Sequence, residues 1–268
     1  MNKTIGFIGS GNMGGAMIGG IIKAGLTAKE NIYVSDINEE SLARVRESYG
    51  VNTTTDNAQL AKVCDIIVLS VKPFLYPVVI NQIKAVVKED VIIVVIAAGQ
   101  SSEAVAQLFG REIKIVKTMP NTPALVGEGM AAIVPAKNVT KEETAEITAI
   151  FNSFGKSEIV PEHLMDAVTA VSGSSPAYVY MMIEAMADAA VVEGMPRPQA
   201  YKFAAQAVLG SAQMVLETGK HPGELKDMVC SPGGTTIAAV AKLEETGFRS
   251  SIMQSMKACA DKSREMSK

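Results

Sequence analysis

The sequence predicts an α/β domain built on a parallel sheet, followed by an all-α domain. Three observations lead there. Short apolar runs alternate with helical stretches through the first part of the chain, the signature of strand–helix–strand units. Two of those runs, IIVLSV (Ile66–Val71) and VIIVVI (Val91–Ile96), are apolar almost throughout, as suits strands covered on both faces. Beyond about Pro161 no convincing strand recurs and helical texture takes over.

In order, Thr4–Ile8 reads as a strand and Asn12–Ala24 as a helix. Asn31–Ser35 and Glu39–Tyr49 form the next strand and helix. Asp65–Val71 is rich in β-branched residues, and a helix follows Pro77. Val91–Ile96 leads to the helix Ser102–Phe109, and Glu112–Lys117 is a further strand. In the second part Asp166–Val171, Ala177–Glu193, Pro198–Glu217 and Thr235–Glu245 read as helices. Gly194, Gly219 and Gly247 fall where helix C-caps belong, and Pro196 and Pro198 begin a helix after the Gly194 turn. A boundary is expected near residue 160, giving domains 1–160 and 161–268.

The stretch Ala177–Glu193 is apolar nearly all round, interrupted only by Glu184 and Asp188. Such a helix needs apolar partners on every face. It is either the central helix of its own domain or one that packs across a subunit interface.

Length and composition exclude several classes. A chain of 268 residues suits two ordinary domains. With 48% hydrophobic and 20% charged residues it is not a disordered chain. A net charge of −3, from 25 basic and 28 acidic residues, gives no electrostatic case for nucleic acid or an anionic membrane. Trp is absent and aromatics are only 5%, so base-stacking platforms are not expected. Cys64, Cys230 and Cys259 are far apart and match neither CxxC nor zinc spacing, which points to a reducing compartment. His163 and His221 are isolated and no HExxH occurs, so no metal site is expected. Met1-Asn2-Lys3 leads straight into a strand with no signal-peptide pattern, and Val91–Ala98 is too short to span a bilayer. The expectation is a cytoplasmic protein.

The glycine loop carries the first functional signal. Gly9-Ser10-Gly11-Asn12-Met13-Gly14 follows Ile8 at the end of the first strand and opens the first helix. GxGxxG is weak alone, but strand-before and helix-after is the context a dinucleotide site requires. Gly9 allows the tight turn, Gly11 lets backbone approach a pyrophosphate, and Gly14 lets helix and strand pack closely. The helix N-terminus then offers free N–H groups to phosphates. Asp36 lies 22 residues beyond Gly14, at the end of the second strand. It either takes ribose hydroxyls, which favours NAD, or caps the next helix, with Asn38 a rival cap. Asn57 either caps the helix at Ala58 or lies near the adenosine end. Val71-Lys72-Pro73, Ala97-Ala98-Gly99 and Lys117–Pro123 leave further strands at the edge where ligands sit in open α/β sheets.

The second signal lies in the helical part. Ser231-Pro232-Gly233-Gly234-Thr235-Thr236 precedes a clean helix. Two glycines at a helix N-terminus expose amides suited to a carboxylate, on the Gly233 and Gly234 N–H groups, with two threonine hydroxyls on the first turn. The plain alternative is a capped helix with a flexible hinge. No nucleophile–base pair is evident.

With these residues in view, the chain resembles the pyrroline-5-carboxylate reductase family over its whole length. FIGSGNMG (Phe7–Gly14) fits many dinucleotide enzymes. SVKP (Ser70–Pro73), AAG (Ala97–Gly99), MPNTP (Met119–Pro123), AVTAVSGSSPAY (Ala167–Tyr178) and above all HPGELKDMVCSPGGTT (His221–Thr236) are more specific. The resemblance implies an N-terminal Rossmann domain, a C-terminal helical domain that dimerises, and homodimers or rings of dimers. It implies hydride transfer from NADPH or NADH to the cyclic imine Δ1-pyrroline-5-carboxylate, giving L-proline. It places Ile8–Met13, Asn57, Val71–Pro73 and Ala97–Gly99 on cofactor positions and Ser231 and Gly233–Thr236 on the substrate loop. Thr236 falls on the hydroxyl that hydrogen-bonds the ring nitrogen. Asp36 stands where NADPH-preferring members often carry a small or hydroxyl residue, and Met228 where some carry Asn. A protonated imine is already electrophilic, so the reaction needs no metal or base. The absence of Lys between Lys156 and Lys202 argues against a two-domain 3-hydroxyacid dehydrogenase, which needs one there. The intact Ser231–Thr236 loop argues against a non-catalytic dinucleotide sensor.

Overall fold

A computed structural model of the chain describes residues 1–266 apart from residue 98. The described strands are β1 (Ile5–Ile8), β2 (Ile32–Ser35), β3 (Asn52–Thr54), β4 (Ile66–Leu69), β5 (Ile92–Val95), β6 (Lys114–Met119), β7 (Gly129–Pro135) and β8 (Gly155–Ile159). Helices α1 (Asn12–Lys23), α2 (Glu39–Tyr49), α3 (Asn57–Val63), α4 (Tyr76–Ile83), α5 (Ser102–Phe109) and α6 (Lys141–Asn152) interleave with them. Then come α7 (Met165–Val168), a π-turn at Thr169–Gly173, α8 (Ser175–Val192), α9 (Arg197–Thr218), α10 (Pro222–Val229), α11 (Thr235–Glu245) and α12 (Phe248–Met266).

The eight strands form one sheet in the order β3-β2-β1-β4-β5-β6-β7-β8. All pairings are parallel except β6–β7, so the parallel expectation holds as far as β6 and β7 runs against it. The chain order reverses between β1 and β4, which makes that edge the switch point where a crevice opens.

The apolar strands are explained by two cores. Ile66 and Val68, Ile92 and Val94 join one cluster with Met17, Ile18 and Ile21 of α1 and Ile147, Ile150 and Phe151 of α6. Their neighbours Ile67 and Leu69, Ile93 and Val95 join another with Leu60 of α3, Tyr76, Ile80 and Ile83 of α4, and Phe109 of α5. Successive side chains of a strand point to opposite faces, so a sheet sandwiched by helices must be apolar at every position.

The chain forms two compact units, Met1–Ser174 with the chain from Cys259 on, and Ser175–Ala258. The division falls later than residue 160, and the chain end belongs with the first unit. Two contacts within that unit explain this: Asn121 Nδ2 donates to the Ser172 carbonyl at 3.0 Å, and Ser263 Oγ donates to Asp166 at 2.6 Å. In the second unit α8 and α9 pack along each other. Only Ala187 of α8 and Ala200 and Ala204 of α9 are buried. Tyr180, Met181, Val192, Phe203 and Leu216 stand exposed. The central-core reading of the 177–193 stretch therefore fails: only Ala187 is buried, Val179, Met182, Ile183 and Val191 are half-covered, and Tyr180, Met181, Met186 and Val192 stand exposed. No described helix is long and apolar enough to cross a membrane.

Candidate active site

The exits of β1 and β4 touch. Ser70 Oγ donates to the Ile8 and Gly9 carbonyls at 3.0 and 2.6 Å. Gly9 turns at φ +103°, and a Cβ there would stand 2.7 Å from the Ser70 carbonyl oxygen, so no other residue fits. A Cβ on Gly14 would meet the Gly9 carbonyl oxygen at 2.8 Å, which is the close helix–strand approach expected of the third glycine. Gly11 has nothing within 4 Å of its missing Cβ and opens onto free space.

That space is a cleft of about 950 Å³ at the carboxyl ends of the strands. It brings together Ile8, Gly9, Gly11, Asn12, Met13, Asp36, Asn57, Val71, Lys72, Pro73 and Ala97 from the sequence expectation. Ser10 and Gly14 do not line it. Gly14 is packed inside, while Ser10 faces a neighbouring groove of about 730 Å³ between α1 and α2. Gly99 adopts φ +74° outside the cleft lining, and Ala98 lies outside the described residues.

Asp36 does not cap α2. Asn38 does, accepting from Ser41 N at 2.9 Å. The Asp36 carboxylate instead closes on the glycine loop: one oxygen accepts from Ser10 N and Ser10 Oγ, each at 2.7 Å, and the other from Asn38 N at 2.9 Å. Partial burial pushes its carboxyl up, but the hydrogen bonds from the Ser10 side chain and from the Asn38, Ser10 and Ile37 backbone outweigh it and hold it below the ordinary carboxylate range. The helix after Asn57 is capped by Asp56, which accepts from Ala58 N and Gln59 N, so Asn57 is free of that duty. It accepts from Ser35 Oγ at 2.7 Å and donates to Gln82 at 2.7 Å.

Several lining residues escaped the sequence reading, chief among them Ile37, Leu75, Val78 and Gln82. Leu75, Val78 and Gln82 recur at a spacing of three to four, which marks one face of a helix. That face was the available signal.

In the second unit, Gly234 begins α11 with no side-chain cap. Gly233 turns at φ +67° and Gly234 N donates to the Ser231 carbonyl at 3.0 Å. The Gly234 amide is thus engaged in the turn, contrary to the expectation that it faces a ligand. The first intrahelical bond runs from Ala238 N to the Gly234 carbonyl at 3.3 Å, which leaves the amides of Thr235, Thr236 and Ile237 without an intrahelical partner. Thr235 is exposed and Thr236 half-buried. Among the described residues no cluster of His, Cys, Asp and Glu suits a metal ion.

Comparison with known proteins agrees with this geometry. Residues 162–266 match the model for pyrroline-5-carboxylate reductase dimerisation, and residues 4–99 match that for NADP oxidoreductase, coenzyme F420-dependent. The chain is 50% identical to pyrroline-5-carboxylate reductase of Escherichia coli over 268 residues, all of both chains. It is 44% identical to that of Methanosarcina acetivorans over 267 residues, 100% of this chain and 99% of the other. The solved pyrroline-5-carboxylate reductase of Coxiella burnetii superposes with a TM-score of 0.94 at 32% identity, covering 100% of both chains. The pyrroline carboxylate reductase of Plasmodium falciparum, solved with NADP bound, gives 0.90 at 36% identity and covers 100% of this chain and 99% of that one. With this identity spread over its full length, and with a switch-point cleft behind a glycine loop, the chain belongs to the pyrroline-5-carboxylate reductase family.

Proposed function

We infer that this chain reduces the ring C=N bond of Δ1-pyrroline-5-carboxylate with NAD(P)H and yields L-proline, the last step of proline biosynthesis. The observation that carries the reading is the cleft at the β1/β4 switch point, in a chain of this family. The cleft suits a dinucleotide: Gly11 leaves open space over the N-terminus of α1, whose first amides lack partners and can receive a pyrophosphate. Gly9, Gly11, Asn12 and Met13 would hold the phosphates, Asp36 and Asn57 the adenosine side, and Val71–Pro73 and Ala97 the rest. Asp36 is already ionised and fixed by Ser10, poised to accept from ribose hydroxyls, which makes NADH at least competitive with NADPH.

When bound, the reduced nicotinamide supplies the hydride that reduces the imine carbon. The protein has to orient and balance charge. The Thr235 and Thr236 amides at the positive end of α11 take the substrate carboxylate, with Gly233 and Ser231 shaping the turn. The Thr236 hydroxyl hydrogen-bonds the ring nitrogen, accepting from the N–H of the protonated imine, and holds it in register. The helices from Ser175 on carry the dimer contact, and the protein works as a homodimer or a ring of dimers. It binds no nucleic acid. Three free thiols, Cys64, Cys230 and Cys259, suit the reducing cytoplasm.

The test is oxidation of NADH and of NADPH by the pure protein, followed by absorbance, with the cyclic imine and separately with 3-hydroxy acids and NAD(P)+. Turnover with the imine alone is expected. Absence of imine-dependent oxidation with either cofactor by folded protein would overturn the reading.

A further inference from the structure

We infer that Gln82 reads the adenine base of the dinucleotide, presenting its amide N–H to a ring nitrogen while Ile37 and Val78 cover the base. The inference rests on the cofactor reading above and concerns a residue it leaves without a role.

A directed chain of hydrogen bonds ends at Gln82. Ser35 is fully buried at the end of β2, and its hydroxyl donates to Asn57 Oδ1 at 2.7 Å. That fixes the Asn57 amide so that Nδ2 faces outward, and it donates to Gln82 Oε1 at 2.7 Å. The Gln82 acceptor is thereby occupied. Its Nε2, which carries two N–H groups and can only donate, has no protein partner among the described residues. Gln82 lines the cleft. The group left for a ligand is therefore a neutral donor, and it calls for a neutral acceptor such as a heteroaromatic ring nitrogen.

The surroundings suit a flat apolar body. Ile37 is 91% exposed and Val78 57% exposed, yet both line this same cleft. Two branched aliphatic side chains left uncovered around one opening gain by covering a planar ring. Asp36, which precedes Ile37, marks the ribose end of the cleft, so the base lies on the Ile37 side of it.

The test uses the intact protein and two ligands. Calorimetry measures the Kd for ADP-ribose, which carries the base and lacks nicotinamide. Kinetics with reduced nicotinamide mononucleotide measure a donor that lacks the base. Gln82→Leu removes both ends of the amide. Gln82→Glu keeps an acceptor for Asn57 Nδ2 and replaces the Nε2 donor with an acceptor. One hydrogen bond corresponds to about threefold to tenfold in Kd. Both variants are expected to weaken ADP-ribose by about that factor and to use the mononucleotide as the wild type does. If Gln82→Glu binds ADP-ribose like the wild type, whatever Gln82→Leu does, the donor role is overturned and Gln82 merely braces Asn57. Equal losses with both ligands would likewise overturn it. Failure of the wild type to bind ADP-ribose would overturn the cofactor reading itself.

Discussion

One oxygen of the Asp36 carboxylate accepts two hydrogen bonds from Ser10, from its backbone N and its Oγ, each at 2.7 Å. The acid at the end of β2 and the second residue of the glycine loop are thus one unit. Its consequence is a fixed negative charge at the rim of the cofactor cleft. A 2′-phosphate brought beside it is repelled by about 1–2 kcal/mol when partly desolvated, whereas ribose hydroxyls can donate to it. Asp36→Ser is expected to shift the ratio of kcat/KM for NADPH over NADH upward by about fivefold to thirtyfold. Steady-state kinetics with both cofactors check this, and an unchanged ratio would remove Asp36 from cofactor selection.

The same contact sets a pH dependence. Because hydrogen bonding holds the Asp36 carboxyl below its ordinary value of 3.8, its contribution to stability is complete above that value. The contribution is lost as pH falls through the lowered folded-state value. Asp65 behaves alike: burial raises its carboxyl, but the Lys88 ammonium and Thr4 hold it down. Tm is expected to be flat in both groups' terms near neutrality and to fall at acid pH, less steeply in Asp36→Asn and Asp65→Asn than in the wild type. Melting curves from about pH 5 to about pH 2 measure the difference in slope. Parallel curves for all three proteins would contradict it.

The apolar side chains left exposed on α8 and α9 predict the third outcome. Phe203 is 67% exposed in the single chain, within the segment that matches the dimerisation model. Phe203→Asp places a charge where an apolar partner surface is expected, and burying it unpaired costs several kcal/mol. Light scattering is expected to show a multiple of the 28.3 kDa chain mass for the wild type and a shift towards monomer, with loss of activity, for the variant. A fully active monomer at micromolar concentration would refute the requirement for assembly.

Much of this was legible in the residues, for physical reasons. Helices Glu39–Tyr49 and Ser102–Phe109 match their expected limits because Asn38 and Ser101 cap them and Gly50 and Gly110 end them in the left-handed region. β7 and β8 have no counterpart among the strands that the sequence predicts. β7 is built partly of glycine and alanine, and β8 is largely exposed with Lys and Glu inside it, so neither shows a strand pattern. α6 carries a local signal in the capping box of Thr140 and Glu143. In the site, the glycine loop was readable because local turn geometry dictates it. Gln82 was not, because its partner Asn57 lies on another helix and meets it only after folding. The engagement of Gly234 N with Ser231 is likewise invisible in a Gly-Gly pair, which fits either reading.

Thr236 gives the sharpest test of the substrate loop. The competing view treats it as an ordinary first-turn residue whose loss costs stability. In the structure no hydrogen bond from its hydroxyl to the protein is found among the described residues, and Gly234, which begins the helix, uses no side-chain cap. Thr236→Ala therefore removes no internal hydrogen bond and replaces a β-branched residue with a better helix former. Tm is expected to stay the same or rise slightly. The hydride step should behave otherwise. A hydroxyl hydrogen-bonded to the ring nitrogen is worth about 1–3 kcal/mol, so single-turnover reduction of the imine should slow by about fivefold to 150-fold. Cofactor affinity should be nearly unchanged, because the loss is confined to the substrate. Thr236→Ser keeps the hydroxyl and should retain most of the rate, whereas Thr235→Ala should matter little, since the expected contact there is through the backbone amide. Measuring Tm and single-turnover transfer on the same preparation separates the views. Reduced stability with unchanged transfer would remove Thr236 from the chemistry and leave the loop as a helix start alone.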